Sequence, residues 1–149
     1  MPIFDYTFTV DAPLTAVSAF HHDTRVLKTL TPPPMFVTVH KFEPLGEGSI
    51  GEFTLWVGPI PLHWRAIHSN VSENGFTDTQ ERGPLKFWQH THRFTAVSPI
   101  TTQIHEHVEY SYHSGLRGLL TRLLFNNFGL YFLFTARKII TRRAVKKRD

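Results

Sequence analysis

The chain has 149 residues, a length at which one compact domain is the default and roughly two-thirds of the unfolded surface can be buried without a covalent staple. It contains no cysteine, which excludes a disulfide framework, thiolate catalysis and cysteine-ligated zinc or iron–sulfur centres. The net charge of +4 conceals a division: residues 1–116 carry seven Lys/Arg against eleven Asp/Glu, whereas residues 117–149 carry nine Lys/Arg against Asp149 alone.

The excess positive charge therefore belongs to one C-terminal segment and is not spread over a face with aromatic platforms, so no nucleic-acid partner is expected. Arg142, Arg143, Lys146, Lys147 and Arg148 suit a helix C-terminus followed by a short basic tail, 146–149. Met1-Pro2-Ile3-Phe4-Asp5 lacks the basic and apolar regions of a leader. The most hydrophobic stretch, 128–136, is far short of the ~20 residues that span a bilayer. A cytoplasmic protein is the expectation. Apolar residues are 41% and charged residues 19% of the chain, a globular balance, and 13 Phe with 3 Trp imply a bulky core.

Residues 3–10 alternate, with Phe4, Tyr6, Phe8 and Val10 on one face and Asp5, Thr7 and Thr9 on the other, which predicts a half-buried strand. Asp11-Ala12-Pro13 ends it and opens a helix carrying Leu14, Val17 and Phe20, capped near Asp11 or Ala12 with Pro13 in the first turn. A second short helix is expected over 23–30, stopped by Thr31-Pro32-Pro33-Pro34. Six β-like runs follow, over 35–42, 50–57, 62–71, 76–82, 85–97 and 101–112. Turn chemistry separates them, at Gly46-Glu47-Gly48, Gly58-Pro59-Ile60-Pro61, Glu73-Asn74-Gly75, Gly83-Pro84 and Ser98-Pro99. These connections are too short for crossover helices, so the strands are sequential antiparallel neighbours. From Leu116 to about Val145 the spacing turns helical, with Leu116, Leu119, Leu120, Leu123, Leu124 and Phe128 on a broad apolar face and Gly129 as a point of bending or close approach.

An apolar sheet face has to be buried, and this helix is the only large apolar partner available. The prediction is a single α+β domain over 1–149, a curved antiparallel sheet of about seven strands wrapped around one long C-terminal helix, with two short helices after the first strand.

The chain resembles the START/SRPBCC superfamily, whose helix-grip fold has this element order. The resembling stretches are Phe8-Thr9-Val10-Asp11-Ala12-Pro13, Leu30-Thr31-Pro32-Pro33, Phe53-Thr54-Leu55-Trp56, Gly75-Phe76-Thr77-Asp78-Thr79-Gln80, Arg82-Gly83-Pro84 and Trp88-Gln89-His90-Thr91-His92. The superfamily includes polyketide cyclases, coenzyme Q-binding proteins and lipid-transfer domains, and the text looks closest to a ligand-binding branch. The resemblance implies a hydrophobic ligand held between sheet and helix, without choosing between carriage and catalysis.

Strand parity supplies the site. Pairing outward from Ser98-Pro99 opposes Phe94 to Ile104, His92 to Glu106, His90 to Val108 and Trp88 to Tyr110, all on the interior face. The Gly58–Pro61 turn brings Leu62, Trp64, Ala66 and His68 to that face, and Asn74-Gly75 adds Asp78 and Gln80 near His68 and Asn70. Burying so many polar groups is costly unless they pair with each other or with a ligand. One reading is a self-satisfied network, His92 with Glu106 and either His90 or His68 with Asp78. The other is a cavity with an aromatic and a polar wall, lined by Trp64, His68, Asp78, Gln80, Trp88, His90, His92, Glu106, Tyr110, Leu124 and Phe128. Within it His90, His92, Glu106 and Asp78 are the candidates for proton transfer.

His90-x-His92 with Glu106 or Asp78 could ligate a metal, and His105-x-His107 repeats the spacing on the opposite face. Ten histidines make such pairs common, so no metal and no cofactor is expected. His105, His107 and Glu109 read as a solvated outer face, and His21-His22 as exposed or packed at the cavity mouth. The sequence favours a non-catalytic carrier or sensor of a lipid, isoprenoid or polyketide-like molecule. A cyclase or dehydratase is the alternative, and a module contacting proteins or anionic membranes through the basic C-terminal segment is the third.

Overall fold

In the computed structural model the described residues are 1–147, so the end of the expected basic tail, Arg148 and Asp149, lies outside them, as does the side chain of Lys147. The order is β1 (Ile3–Val10), α1 (Leu14–His22), α2 (Val26–Leu30), β2 (Met35–Phe42), β3 (Ile50–Val57), β4 (Ile60–Ser72), β5 (Gly75–Arg82), β6 (Phe87–Ser98), β7 (Thr101–Ser111), a 3₁₀ turn (Gly115–Gly118), α3 (Leu119–Leu124) and α4 (Asn127–Lys147). The seven strands form one antiparallel sheet in the order β1-β7-β6-β5-β4-β3-β2, so the first strand closes against the last. This is the helix-grip architecture. No described helix is long and apolar enough to cross a membrane.

The parity argument holds where it matters. On β1, Phe4, Phe8 and Val10 are buried and Asp5, Thr7 and Thr9 are exposed. The β6–β7 register is Phe94 to Ile104, His92 to Glu106, His90 to Val108 and Trp88 to Tyr110. Across β5–β6, Asp78 is opposite His90 and Phe76 opposite His92. Gly75 fixes this approach, because with φ +139° a Cβ there would lie 1.9 Å from the carbonyl oxygen of His92. Asn70 departs from the expectation. Its left-handed φ of 52° sits in an irregular stretch of β4 between Ser69 and Ser72, and the residue is exposed, its N–H donating to the Glu47 carboxylate.

Two apolar clusters hold the sheet to the helices. One joins Phe4, Trp64, Trp88 and Tyr110 to Phe125, Leu130 and Phe134; the other joins Phe8, Val10, Phe94 and Ile104 to Val17, Phe20 and Val145. Along β6 the inward positions run Trp88, His90, His92, Phe94, so the two histidines separate one cluster from the other.

Three expectations about the helices change. Pro13 itself occupies the α1 N-cap position, and no side chain caps the helix. The second helix begins only at Val26, because Asp23 turns back to accept from the Arg25 amide and guanidinium. The single C-terminal helix is broken at 125–126. There Asn126 Nδ2 donates to the Arg122 and Leu123 carbonyls while its Oδ1 accepts from the Gly129 N–H, so one side chain caps both α3 and α4. Gly129 is a close approach, since a Cβ would lie 2.2 Å from the Leu124 carbonyl oxygen. The break turns part of the expected leucine face outward: Leu116 is 89% and Phe128 85% exposed, and Leu119 and Leu123 are exposed too, whereas Leu120 and Leu124 stay half-buried against the core. The buried face is instead Leu130, Phe134, Thr141 and Val145.

Candidate functional site

A cavity of about 410 Å³ lies between the sheet and the helices. Its apolar wall is Phe53, Trp64, Phe76 and Trp88 from the sheet, Val26 and Leu30 from α2, and Leu124, Phe128 and Leu133 from the C-terminal helices. The polar wall is His68, Asp78, His90 and His92, with His21 from α1 and Arg137 from α4. Stacked aromatic rings stiffen it. Phe53 lies on Trp64 at 5.9 Å and 12°, and Phe76 on His92 at 4.2 Å and 25°.

Of the eleven sequence-predicted binding residues, Trp64, His68, Asp78, Trp88, His90, His92, Leu124 and Phe128 line the cavity. The other three are inward-facing but tied elsewhere. Gln80 clamps the β5–β6 connection, its Nε2 donating to the Leu85 carbonyl and its Oε1 accepting from the Leu85 N–H. Tyr110 donates its hydroxyl to Asn127 Oδ1. Glu106 stands behind the histidines and accepts a short bond from His90 Nε2. The Leu85 clamp also explains why β6 starts at Phe87 and not at 85.

The centre of the polar wall is a closed set of two imidazoles and two carboxylates. The His90 and His92 rings lie 3.8 Å apart at 36°. His92 Nε2 donates to Asp78 Oδ2 at 3.0 Å. His92 Nδ1 lies 2.9 Å from Glu106 Oε2 but off the angle of a hydrogen bond. His90 Nδ1 is 3.8 Å from Asp78 Oδ2. Each ring therefore turns one nitrogen toward Glu106 and the other toward Asp78. His68, opposite Asp78 on β4, makes no hydrogen bond within the set, and its Nδ1 donates to the Ser49 carbonyl at 3.0 Å.

The charges within this set are polarised. Burial opposes charge on His92, but the Glu106 carboxylate and the bond to Asp78 outweigh it and raise its pKa to about 9. Burial pushes His90 down, and the neighbouring His92 charge adds to that. Burial would raise both carboxyls, yet the bond from His92 and the histidine charges hold Asp78 below its ordinary value, and the same charges hold Glu106 well below its own. A neutral and a charged imidazole thus share one pair of carboxylates.

Two contributors were hidden in the sequence. His21 was expected to be exposed or at the mouth; it is buried against Phe94 at 4.6 Å, donates Nδ1–H to the Val17 carbonyl, and burial lowers its pKa to about 4. Arg137 is one of the nine basic residues of 117–149, but its guanidinium lies 5.5 Å from the Phe134 ring and borders the cavity. Its Nε is shielded and has no hydrogen-bond partner. Burial lowers its pKa against the attraction of Glu106 and Asp78. The signal for both was spacing: Phe134 and Arg137 sit three residues apart on one face of α4, as Val17 and His21 sit four apart on α1.

The outer face of β1 and β7 carries a second histidine pair. His105 Nε2 and His107 Nδ1 donate to the same Asp5 oxygen at 2.8 and 2.7 Å, and all three side chains are substantially exposed. The face is solvated as expected, but Asp5 bridges the pair, and Glu109 is 3.6 Å from His107 Nε2.

No protein-family model and no curated protein sequence matches the chain. Solved structures do. A START superfamily protein from Mycobacterium smegmatis superposes with a TM-score of 0.75 at 9% identity, covering 99% of each chain. An aromatase/cyclase from a Streptomyces species gives 0.69 at 16% identity, covering 96% of this chain and 95% of its own. Norcoclaurine synthase from Thalictrum flavum, solved with dopamine and hydroxybenzaldehyde, gives 0.69 at 15% identity, covering 99% and 88%. The chain shares the helix-grip fold of these structures.

Proposed function

We propose that the protein binds one small amphipathic molecule in the cavity between its sheet and C-terminal helices. The observation that carries this is the cavity of about 410 Å³ whose two walls differ in kind. Drug-sized ligands occupy cavities of roughly 300–1,000 Å³, mostly apolar with a few convergent polar groups. Trp64, Trp88 and Leu133 suit a ring system or prenyl-like body, while Asp78, His92 and Arg137 suit an oxygen-bearing end. Lipids, isoprenoids and polyketide-like molecules share this chemistry, and the small aromatic compounds held by norcoclaurine synthase on the same fold are compatible with it. Native mass spectrometry of gently purified protein tests the reading. A co-purifying apolar mass that alters Trp64 and Trp88 fluorescence is expected. An empty cavity that also ignores sulfonated naphthalene and fatty-acid probes would refute it.

A second reading is favoured by the Asp78–His92 pair on the cavity wall: a cyclase or dehydratase. Two neighbouring imidazoles with pKa values pushed apart supply an acid and a base at one pH, His92 holding a proton and His90 lacking one. His92 would protonate a departing or developing oxygen while His90 Nδ1 takes a proton from carbon or hydroxyl. The aromatase/cyclase on the same fold makes this chemistry a natural assay.

A further inference from the structure

We propose that Asp78, His90 and His92 form a divalent-metal site on the cavity wall, with zinc as the reference ion. It deepens the ligand-binding reading and rests on that reading only for what occupies the cavity beside the metal. The site itself stands on geometry. One ligand atom from each of the three residues lies within 4.8 Å of the other two. Asp78 Oδ2 is 3.0 Å from His92 Nε2 and 3.8 Å from His90 Nδ1. Zinc bonds of about 2.0–2.2 Å to nitrogen and oxygen place tetrahedral neighbours roughly 3.3 Å apart, a spacing that the two distances from Asp78 Oδ2 bracket.

The backbone already makes this arrangement. His90 and His92 are two apart on β6 and share a face, β5 sets Asp78 opposite His90, and β7 sets Glu106 opposite His92. Glu106 meets the far nitrogens, His90 Nε2 and His92 Nδ1. A carboxylate on the far nitrogen is the usual means of fixing the tautomer and aim of a metal-bound imidazole. Here one carboxylate does so for two rings. Asp78, His90 and His92 border the cavity and Glu106 does not. Three protein ligands with remaining positions open to a cavity is the pattern of catalytic, not structural, metal sites.

Charge adds the ligand class. The set holds two carboxylates, Asp78 and Glu106, and a divalent ion between the imidazoles would balance both. Arg137, whose Nε has no partner, then stands as surplus positive charge on the same cavity wall. The metal form would take an anionic oxygen on an apolar body, such as a carboxylate, phenolate or enolate.

The test is titration of the dialysed full-length chain with Zn²⁺ and Co²⁺ in a His105→Ala/His107→Ala background, which removes the solvent-exposed Asp5 cluster as a competitor. One bound equivalent is expected, with Co²⁺ shifting the ring-proton resonances of His90 and His92. Asp78→Asn should weaken binding by at least roughly tenfold, and Glu106→Gln by about 10–100-fold, the usual range for such supporting carboxylates. No bound equivalent, or binding that survives Asp78→Asn while the His90 and His92 resonances stay still, overturns the proposal. The Co²⁺ spectrum is read with the site intact, so a variant that fails to fold does not protect it. A metal-free protein that still binds an apolar probe rejects the metal and leaves the cavity reading standing; bound metal beside an empty cavity does the reverse.

Discussion

Asp78 is directly opposite His90 across β5 and β6, yet it accepts its hydrogen bond from His92, the next inward residue along the strand, at 3.0 Å. The same exchange occurs on the other side. Glu106 is opposite His92 and takes its short bond from His90. The two diagonals cross, so three neighbouring strands are joined by one polar set between two apolar clusters. Removing a member leaves the rest without compensation in a shielded place.

Coupling should therefore be strong. His92→Phe or Asp78→Asn alone is expected to lower stability by about 1–3 kcal/mol, the typical result of orphaning a buried polar partner. The double variant should lose less than the sum. Urea denaturation of the four proteins checks this, and strict additivity would contradict the crossed pairing.

Stability should peak near neutral pH. His92 has a folded pKa of about 9 against an ordinary 6.5, so its contribution is complete below about 6.5 and is lost as pH rises through 9. A shift of that size corresponds to about 3 kcal/mol. His21 has the opposite sign. Its folded pKa of about 4 means the unfolded chain binds the extra proton, so stability falls as pH drops from 6.5 toward 4. Lowered Asp78 and Glu106 deepen the acid loss below their ordinary values. Thermal melting across pH 4–10 should show both limbs, and His92→Phe should flatten the alkaline one.

The helix break should depend on one side chain. Asn126→Ala removes caps from α3 and α4 together, and losing a cap typically costs about 1 kcal/mol. Asn126→Ala should thus lower stability by about 2 kcal/mol, while Gly129→Ala should cost at least as much through its 2.2 Å approach to the Leu124 carbonyl. Hydrogen exchange should show α3 opening first, since Leu119 and Leu123 contribute little burial.

The sheet was legible because alternation and turn chemistry are local. The Ser98-Pro99 hairpin alone placed His92 opposite Glu106 and His90 opposite Val108. Direction of bonding was not legible, because a register names neighbours and not rotamers; the crossed diagonals depend on ring orientation. Gln80 and Tyr110 were rightly turned inward but answered to Leu85 and Asn127, partners that only the folded turn and the helix break bring near. Of the leucine face of 116–128, Leu120 and Leu124 meet the core, but Leu116, Leu119, Leu123 and Phe128 do not, because helical spacing assumes a straight helix. Asn126, a capping residue in the middle of that run, was the unread stop signal. Arg137 was hidden by its basic neighbours, since charge counting cannot show which member of a run turns inward.

That arginine gives the last prediction. Arg137 borders the cavity with its Nε shielded and unpartnered, and the cost of its burial is offset by the Phe134 ring and the charges of Glu106 and Asp78. A group held in this state without stabilising the fold is characteristic of a site that keeps it for a ligand. Arg137→Met retains the length and the contact with Phe134 while removing the uncompensated donor. The variant is expected to be as stable as the parent or more so, because an apolar replacement of a half-buried, imperfectly paired charge is often neutral or stabilising. Its affinity for an anionic amphiphile such as a fatty acid should drop roughly tenfold or more, which corresponds to about 1.4 kcal/mol, while affinity for the matching alcohol changes little. Melting temperature and displacement of a naphthalene sulfonate probe measure the two halves separately. Loss of stability with unchanged fatty-acid affinity would make Arg137 a structural counter-ion of Asp78 and Glu106 and remove it from the site.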